Sequence, residues 1–194
     1  MLRWGAAALP LPGQADSGDR HVVRAFEGGV LVAVIDAVGH GSEAARVAGL
    51  AAAVLRQQPA DPVHVLLRRC HERLRGSRGA AISVASFDCR SSTMIWLGVG
   101  NVCGVLLRPR ERPKSLLVRS GVVGDRLPAL GISGIPIDRG DTLIMATDGI
   151  ETRFTETLCD TLEPHQLARR IQRGYAKSCD DSLVFVARYA GADR

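Results

Sequence analysis

Three unbroken apolar stretches of this chain begin or end on an aspartate. Gly29–Ile35 runs into Asp36, Thr142–Thr147 runs into Asp148, and Ser182–Tyr189 starts directly after Asp180-Asp181. Short continuous apolar runs bounded by turn residues are consistent with buried strands. A fourth aspartate, Asp19, stands ahead of the first run. One such aspartate is ordinary turn or cap chemistry. The joint pattern at the ends of three strands constrains both the fold and the chemistry.

The remaining sequence supplies helices and further strands. Ser42 is a fitting N-cap for a helix over 43–58, with Ala44, Val47, Ala48, Ala51, Val54 and Leu55 on one face. Asp61-Pro62 starts a second helix that Gly76 ends. The period then changes to strands over Ala80–Phe87, Thr93–Val99 and Val102–Arg108, with Gly100-Asn101 as a tight hairpin turn between the last two. Leu116–Arg119 is a weaker strand, and Pro164 opens a third helix reaching about Ser178. The Gly-, Pro- and Ala-rich beginning reads as an extended lead-in, residues 1–16 lying ahead of the first motif. The class is α+β, an antiparallel core with helices outside, in one domain over 1–194.

Composition narrows the function. Lys plus Arg is 25 against 20 for Asp plus Glu, a formal charge of +5, but aromatics are only 4%. The basic residues are scattered, and stacking platforms for single strands are few, so nucleic acid is not the expected partner. Cys70, Cys89, Cys103, Cys159 and Cys179 are odd in number with no CxxC pair, which fits reduced thiols in the cytosol. The apolar run after Met1 is too short for a signal peptide, and the uncharged stretch Ser91–Leu107 is too short to span a bilayer. No membrane association is expected.

If the strand ends converge, several carboxylates share one cleft. Like charges ~4 Å apart repel by roughly 1 kcal/mol in water and several-fold more in a drier site. Such a cluster requires protons or cations. Oxygen ligands suit Mg²⁺ or Mn²⁺, and no histidines or cysteines gather there to suit zinc. Gly39 and Gly41 in Asp36-Ala-Val-Gly-His-Gly41 let the backbone turn beside the acid, and the helix that follows could aim its N-terminus at an anion. Paired metals at a carboxylate site are suited to phosphoryl chemistry.

Four segments resemble a known family. They are Ser17-Gly-Asp19 with Val30–Gly41, Gly98-Val-Gly-Asn101 before Gly104-Val-Leu-Leu, Gly140–Glu151 (Gly-Asp-Thr-Leu-Ile-Met-Ala-Thr-Asp-Gly-Ile-Glu), and Asp180-Asp-Ser-Leu-Val-Phe-Val. In this order they resemble the PPM-type metal-dependent Ser/Thr protein phosphatases, in their bacterial SpoIIE-like branch. The resemblance runs from about residue 17 to 189. It implies an antiparallel β-sandwich flanked by helices, in α-β-β-α layers.

It also implies roles. Asp36 would bridge two Mn²⁺ or Mg²⁺ ions, the Ala37 carbonyl would bind one, and Asp148 and Asp180 would complete the second. Asp181 competes with Asp180 for that place. Asp19 would hold metal-bound water, and a hydroxide between the ions would attack phosphorus in line. Three positions depart from the family pattern. Ala37 replaces the usual glycine, Asn101 an aspartate that can join a third metal, and Val38 a histidine that protonates the leaving group. Two tight metals and a poor third follow. His40 is the nearest substitute acid, or else a helix-start histidine bonded to backbone. Arg20 is either a fork for the substrate phosphate or a solvated charge.

His64, His71 and His165 fall on helices as surface or packing residues, and Trp4 and Trp96 read as packing anchors. The basic run Arg108–Lys114 reads as a solubilising hairpin tip, with docking of an acidic partner as the alternative. The expected substrate is a phosphorylated STAS-type scaffold or antagonist protein of a stress-signalling complex, the stressosome. The enzyme is expected to be a cytoplasmic monomer. The rival reading is a catalytically silent binding module of the same fold.

Overall fold

Each apolar run is a central strand in the computed structural model, which describes residues 2–158 and 161–191. Cys159 lies outside the described residues. In chain order the strands and helices are β1 (Leu2–Leu9), β2 (Asp19–Phe26), β3 (Gly29–Ala37), α1 (Gly41–Gln57), α2 (Val63–Leu74), β4 (Ala80–Asp88), β5 (Thr93–Val99) and β6 (Cys103–Leu107). There follow β7 (Lys114–Ser115), β8 (Val118–Arg119), β9 (Ser133–Pro136), β10 (Thr142–Ala146), a 3-10 helix (Thr152–Thr157), α3 (Pro164–Tyr175) and β11 (Ser182–Tyr189).

The strands form two sheets. One has the order β2-β3-β4-β5-β8, with β9 also on β5; the other runs β1-β11-β10-β6-β7. Every ladder is antiparallel except β5 with β8.

The period of two explains how three apolar layers arise from continuous apolar strands. Along β3, Leu31, Ala33 and Ile35 pack under α1 and α2 with Ala48, Leu55 and Leu66, while Val32 and Val34 face the other sheet. Along β11, Leu183, Phe185 and Ala187 fill the space between sheets, while Val184 and Val186 meet Leu167 and Ile171 of α3. Each fully buried Leu, Val or Phe is worth roughly 1.5–3 kcal/mol. The inter-sheet layer closes on Trp96, whose indole N–H donates to the Leu117 carbonyl at 2.8 Å. Gly104 leaves room for that ring, since a Cβ there would lie 2.3 Å from it. The result is the expected helix–sheet–sheet–helix sandwich.

Several local expectations are corrected. The lead-in is strand β1, paired along its length with β11 from Leu2–Tyr189 to Leu9–Ser182. Strand β2 was hidden because Asp19-Arg-His-Val-Val-Arg-Ala-Phe26 is a half-exposed edge with no apolar run. Gly100-Asn101 is not a hairpin turn between paired strands: β5 pairs with β4 and β6 with β10, so this turn carries the chain from one sheet to the other. His40, not Ser42, is the N-cap of α1, with no side-chain cap bond. Pro62 rather than Asp61 caps α2, and Asp61 instead pairs with Arg69 at 2.5 Å. Helix α3 stops at Tyr175. Of Leu116–Arg119, Val118 and Arg119 form the strand. Trp96 is a buried anchor, but Trp4 is 47% exposed and lies against Phe185 and His21 at the sandwich edge.

Candidate active site

Register brings the first two aspartates together. Asp19 and Asp36 are directly opposite on β2 and β3, so their side chains share a face. Asp148 follows β10 and Asp180 precedes β11, strands that are neighbours in the facing sheet. Asp36, Asp148 and Asp180 line one pocket of about 510 Å³ between the two sheets' ends. Val38, Gly39 and His40, Ala81, Gly100 and Asn101, Ser120–Val122 and Cys179 complete its wall.

The neighbouring acids have distinct partners. Asp181 is buried and accepts backbone N–H bonds on both oxygens, from Leu11 and Gly18, each at 2.7 Å. Of the Asp180–Asp181 pair, Asp180 therefore is the one that lines the pocket. Asp19 accepts from the Thr147 hydroxyl at 2.7 Å, and that hydroxyl accepts from the Leu183 N–H at 2.9 Å. Asp148 accepts from the Asn101 amide at 2.7 Å, and the Lys177 ammonium donates to the Asp148 carbonyl at 2.6 Å. Asp36 Oδ2 is buried with no hydrogen-bond partner. Gly149 is required by closeness: a Cβ there would lie 1.8 Å from the Asp181 carbonyl oxygen.

Electrostatics follow from this crowding. Burial, then the charge of Asp36, pushes Asp19 up to about 8. Burial, then Asp148, pushes Asp36 up to about 7, against a lowering bond from the Asp148 N–H. Burial also raises Asp180. Among the described residues no three acidic, imidazole or thiol side chains are grouped closely enough to enclose an ion as they stand. The donor set nonetheless fits a hard divalent cation, because it is all oxygen and Asp36 keeps a desolvated, partnerless one facing its acidic neighbours.

Other expected residues are placed as follows. Ala37 is buried and does not line the pocket; its N–H donates to Gly18 at 3.1 Å. His40 lines the pocket, exposed, and its Nδ1 is hydrogen-bonded to the Gln14 side chain rather than to backbone. Arg20 is not brought to this pocket. It lines a separate cavity with Asp19, His21 and Arg56. The wall formed by Ser120-Gly-Val122 was not foreseen, because a loop between two very short strands carries no periodic signal. Cys179 and Lys177 were likewise missed; only their nearness to Asp180 in sequence could have drawn attention.

Residues 27–190 match the stage II sporulation protein E (SpoIIE) family. The chain belongs to the SpoIIE family. The curated phosphoserine phosphatase RsbX of Bacillus subtilis (strain 168) is 23% identical over 138 residues, 71% of this chain and 69% of RsbX. Among solved structures, a chain from work on the bacterial stressosome as a modular system adapted to control secondary messenger signalling is 30% identical. It aligns with a TM-score of 0.89 over 97% of this chain and 100% of that one. RsbX in complex with magnesium aligns with a TM-score of 0.86 at 20% identity, over 96% and 94% of the two chains, a likeness of fold. This SpoIIE-family chain thus has the PPM-type phosphatase fold that its four motifs indicated. No described helix is long and apolar enough to cross a membrane.

Proposed function

We propose that this SpoIIE-family chain is a metal-dependent protein phosphatase acting on phosphoserine or phosphothreonine. The observation that carries the reading is Asp36, with a buried, partnerless carboxylate oxygen in one pocket with Asp148 and Asp180. Asp36, Asp148 and Asp180 would hold two Mn²⁺ or Mg²⁺ ions, with the Ala37 carbonyl as a further oxygen donor and Asp19 orienting water. When bound, such ions acidify a water and neutralise phosphoryl oxygens. The Asn101 amide fixes the Asp148 carboxylate and, being neutral, disfavours a third ion. His40, at the pocket wall, would hand a proton to the departing serine or threonine oxygen. No activated nucleophile is required of the chain itself.

We further propose a phosphorylated STAS-type stressosome or antagonist protein as substrate, and a cytoplasmic monomer as the working form. The likeness to RsbX and to the stressosome-associated chain supports the first. The free state of Cys70, Cys89, Cys103 and Cys179 supports a reducing compartment.

Phosphate release from a phosphoprotein with Mn²⁺ tests the activity. Asp36→Asn and Asp148→Asn are each expected to lower turnover at least about a hundredfold; undiminished turnover in both would refute the assignment. The Asn101–Asp148 bond also favours the silent-module reading, since it occupies a ligand oxygen. Calorimetric titration with Mn²⁺ separates the two, because a silent module binds the ion feebly or not at all.

A further inference from the structure

The carboxylate pocket is lined by no lysine or arginine. The nearby Lys177 ammonium is bonded to the Asp148 carbonyl at 2.6 Å. Arg20, the expected fork, faces a different cavity. The ladder itself brings another arginine to the place. Strands β3 and β4 pair Asp36 with Ala81 and Ala37 with Ala80. The pairing continues beyond the strands through the Val38 N–H to the Gly79 carbonyl at 3.0 Å. One step further, Arg78 stands across from Gly39, a residue of the pocket wall. Gly39 has φ +91°, and a Cβ there would lie 2.7 Å from the Arg78 guanidinium nitrogen.

The backbone of Arg78 is pinned while its head is not. The Ser77 hydroxyl donates to Leu74 at 2.6 Å and accepts from the Gly79 N–H at 3.1 Å. Ala80 and Val123 exchange both backbone bonds at 2.9 Å, tying this loop to the Ser120–Val122 wall. The guanidinium itself is exposed and has no hydrogen bond or ion pair among the described residues. Glu43, an acid near enough for its charge to be felt, is taken by Arg46 at 2.8 Å. An unpaired planar fork held at the mouth of a phosphoryl site matches the oxygens of a phosphate.

We propose that Arg78 holds the substrate's phosphoryl group at the mouth of the pocket, an inference that rests on the phosphatase reading. The test measures phosphopeptide kinetics and, separately, calorimetric binding of inorganic phosphate to the Mn²⁺-loaded protein. Arg78→Ala is expected to raise KM for a phosphoserine peptide about tenfold and to weaken phosphate binding by a similar factor. Its kcat should stay within about twofold, and its Mn²⁺ affinity should be unchanged. Arg78→Lys should recover part of both losses, having the charge without the fork. Because the side chain is exposed, thermal stability should not move in either variant. Wild-type turnover with unaltered KM and phosphate affinity in Arg78→Ala would overturn the role while leaving the phosphatase reading intact. A wild type without turnover whose phosphate binding is still lost in Arg78→Ala would sink the phosphatase reading and support the anion site.

Discussion

Strand β10 has an aspartate beyond each end, and the two could hardly be treated more differently. Asp141, before the strand, is 4% exposed, accepts from the Asp138 N–H at 3.1 Å and pairs with Arg108 at 3.3 Å. Asp148, after it, is exposed in a pocket with Asp36 and Asp180, and its neighbour Asp36 keeps an oxygen with no partner. Asp181 belongs with Asp141: buried, with both oxygens taken by backbone N–H groups. Aspartates whose oxygens are spoken for internally hold the fold. Of the pocket's aspartates, Asp148 accepts from the Asn101 amide and Asp180 from the Asp181 N–H, and Asp36 keeps the buried oxygen with no partner, where the proposed cation would enter.

The sharpest way to break this contrast is to neutralise one member of each kind. Asp36→Asn should abolish the gain in melting temperature that Mn²⁺ gives the wild type, without unfolding the metal-free protein. Asp181→Asn should do the reverse. It strands one buried N–H, at a cost of about 1–3 kcal/mol in urea unfolding, while metal-dependent stabilisation persists. If Asp36→Asn retained the full Mn²⁺ response, the distinction would fail at its most important member.

How much of this was readable beforehand depends on the kind of signal. Apolar runs ending on acids gave β3, β10 and β11, and with them Asp36, Asp148 and Asp180. Their burial on both faces leaves a continuous hydrophobic pattern in one dimension. Strands β1 and β2 sit at sheet edges, so their residues answer partly to solvent, and neither shows the run or the alternation of a core strand. The destination of the chain after Gly100-Asn101 is a tertiary matter, since two-residue turns serve a hairpin and a sheet-to-sheet crossing alike. The same limit leaves Asp180 and Asp181 alike in sequence; in the fold Asp180 lines the pocket while the Leu11 and Gly18 N–H groups take Asp181. Arg20 adjoins Asp19 in sequence and lines a cavity with it, but that cavity is separate from the pocket of Asp36, Asp148 and Asp180, a separation that sequence adjacency does not reveal.

A pH experiment sharpens the comparison further. Asp19 and Asp36 titrate at about 8 and about 7 when folded, against 3.8 as the ordinary value. Between those limits the folded state holds protons that the unfolded chain has released, so their contribution to stability falls as pH rises. In chelator, Asp36→Asn should therefore gain stability over wild type at pH 8 by more than it does at pH 5.5. On the metal-dependent reading Mn²⁺ would replace those protons, so its stabilisation of the wild type should be larger at pH 8. Parallel melting curves at the two pH values, with and without Mn²⁺, decide it; a mutant-minus-wild-type difference independent of pH would contradict the crowding of these acids.

The smallest effect is expected at the far end of the sandwich. There Arg108 is committed to Asp141 and to the Pro136 carbonyl, whereas Arg110 and Arg112 are exposed on the β6–β7 connection. Because Leu107 pairs with Thr142, this loop lies at the Asp141 end of β10 and not at the pocket end. Exposed charges without a partner contribute within about 0.5 kcal/mol. Arg110→Gln with Arg112→Gln should leave unfolding in urea and turnover of a small phosphate ester unchanged, as a solubilising tip requires. The informative arm is a phosphorylated STAS protein as substrate. An unchanged KM there keeps recognition at the pocket end, with Asp36, while a several-fold rise confined to the protein substrate would make the opposite pole a docking surface.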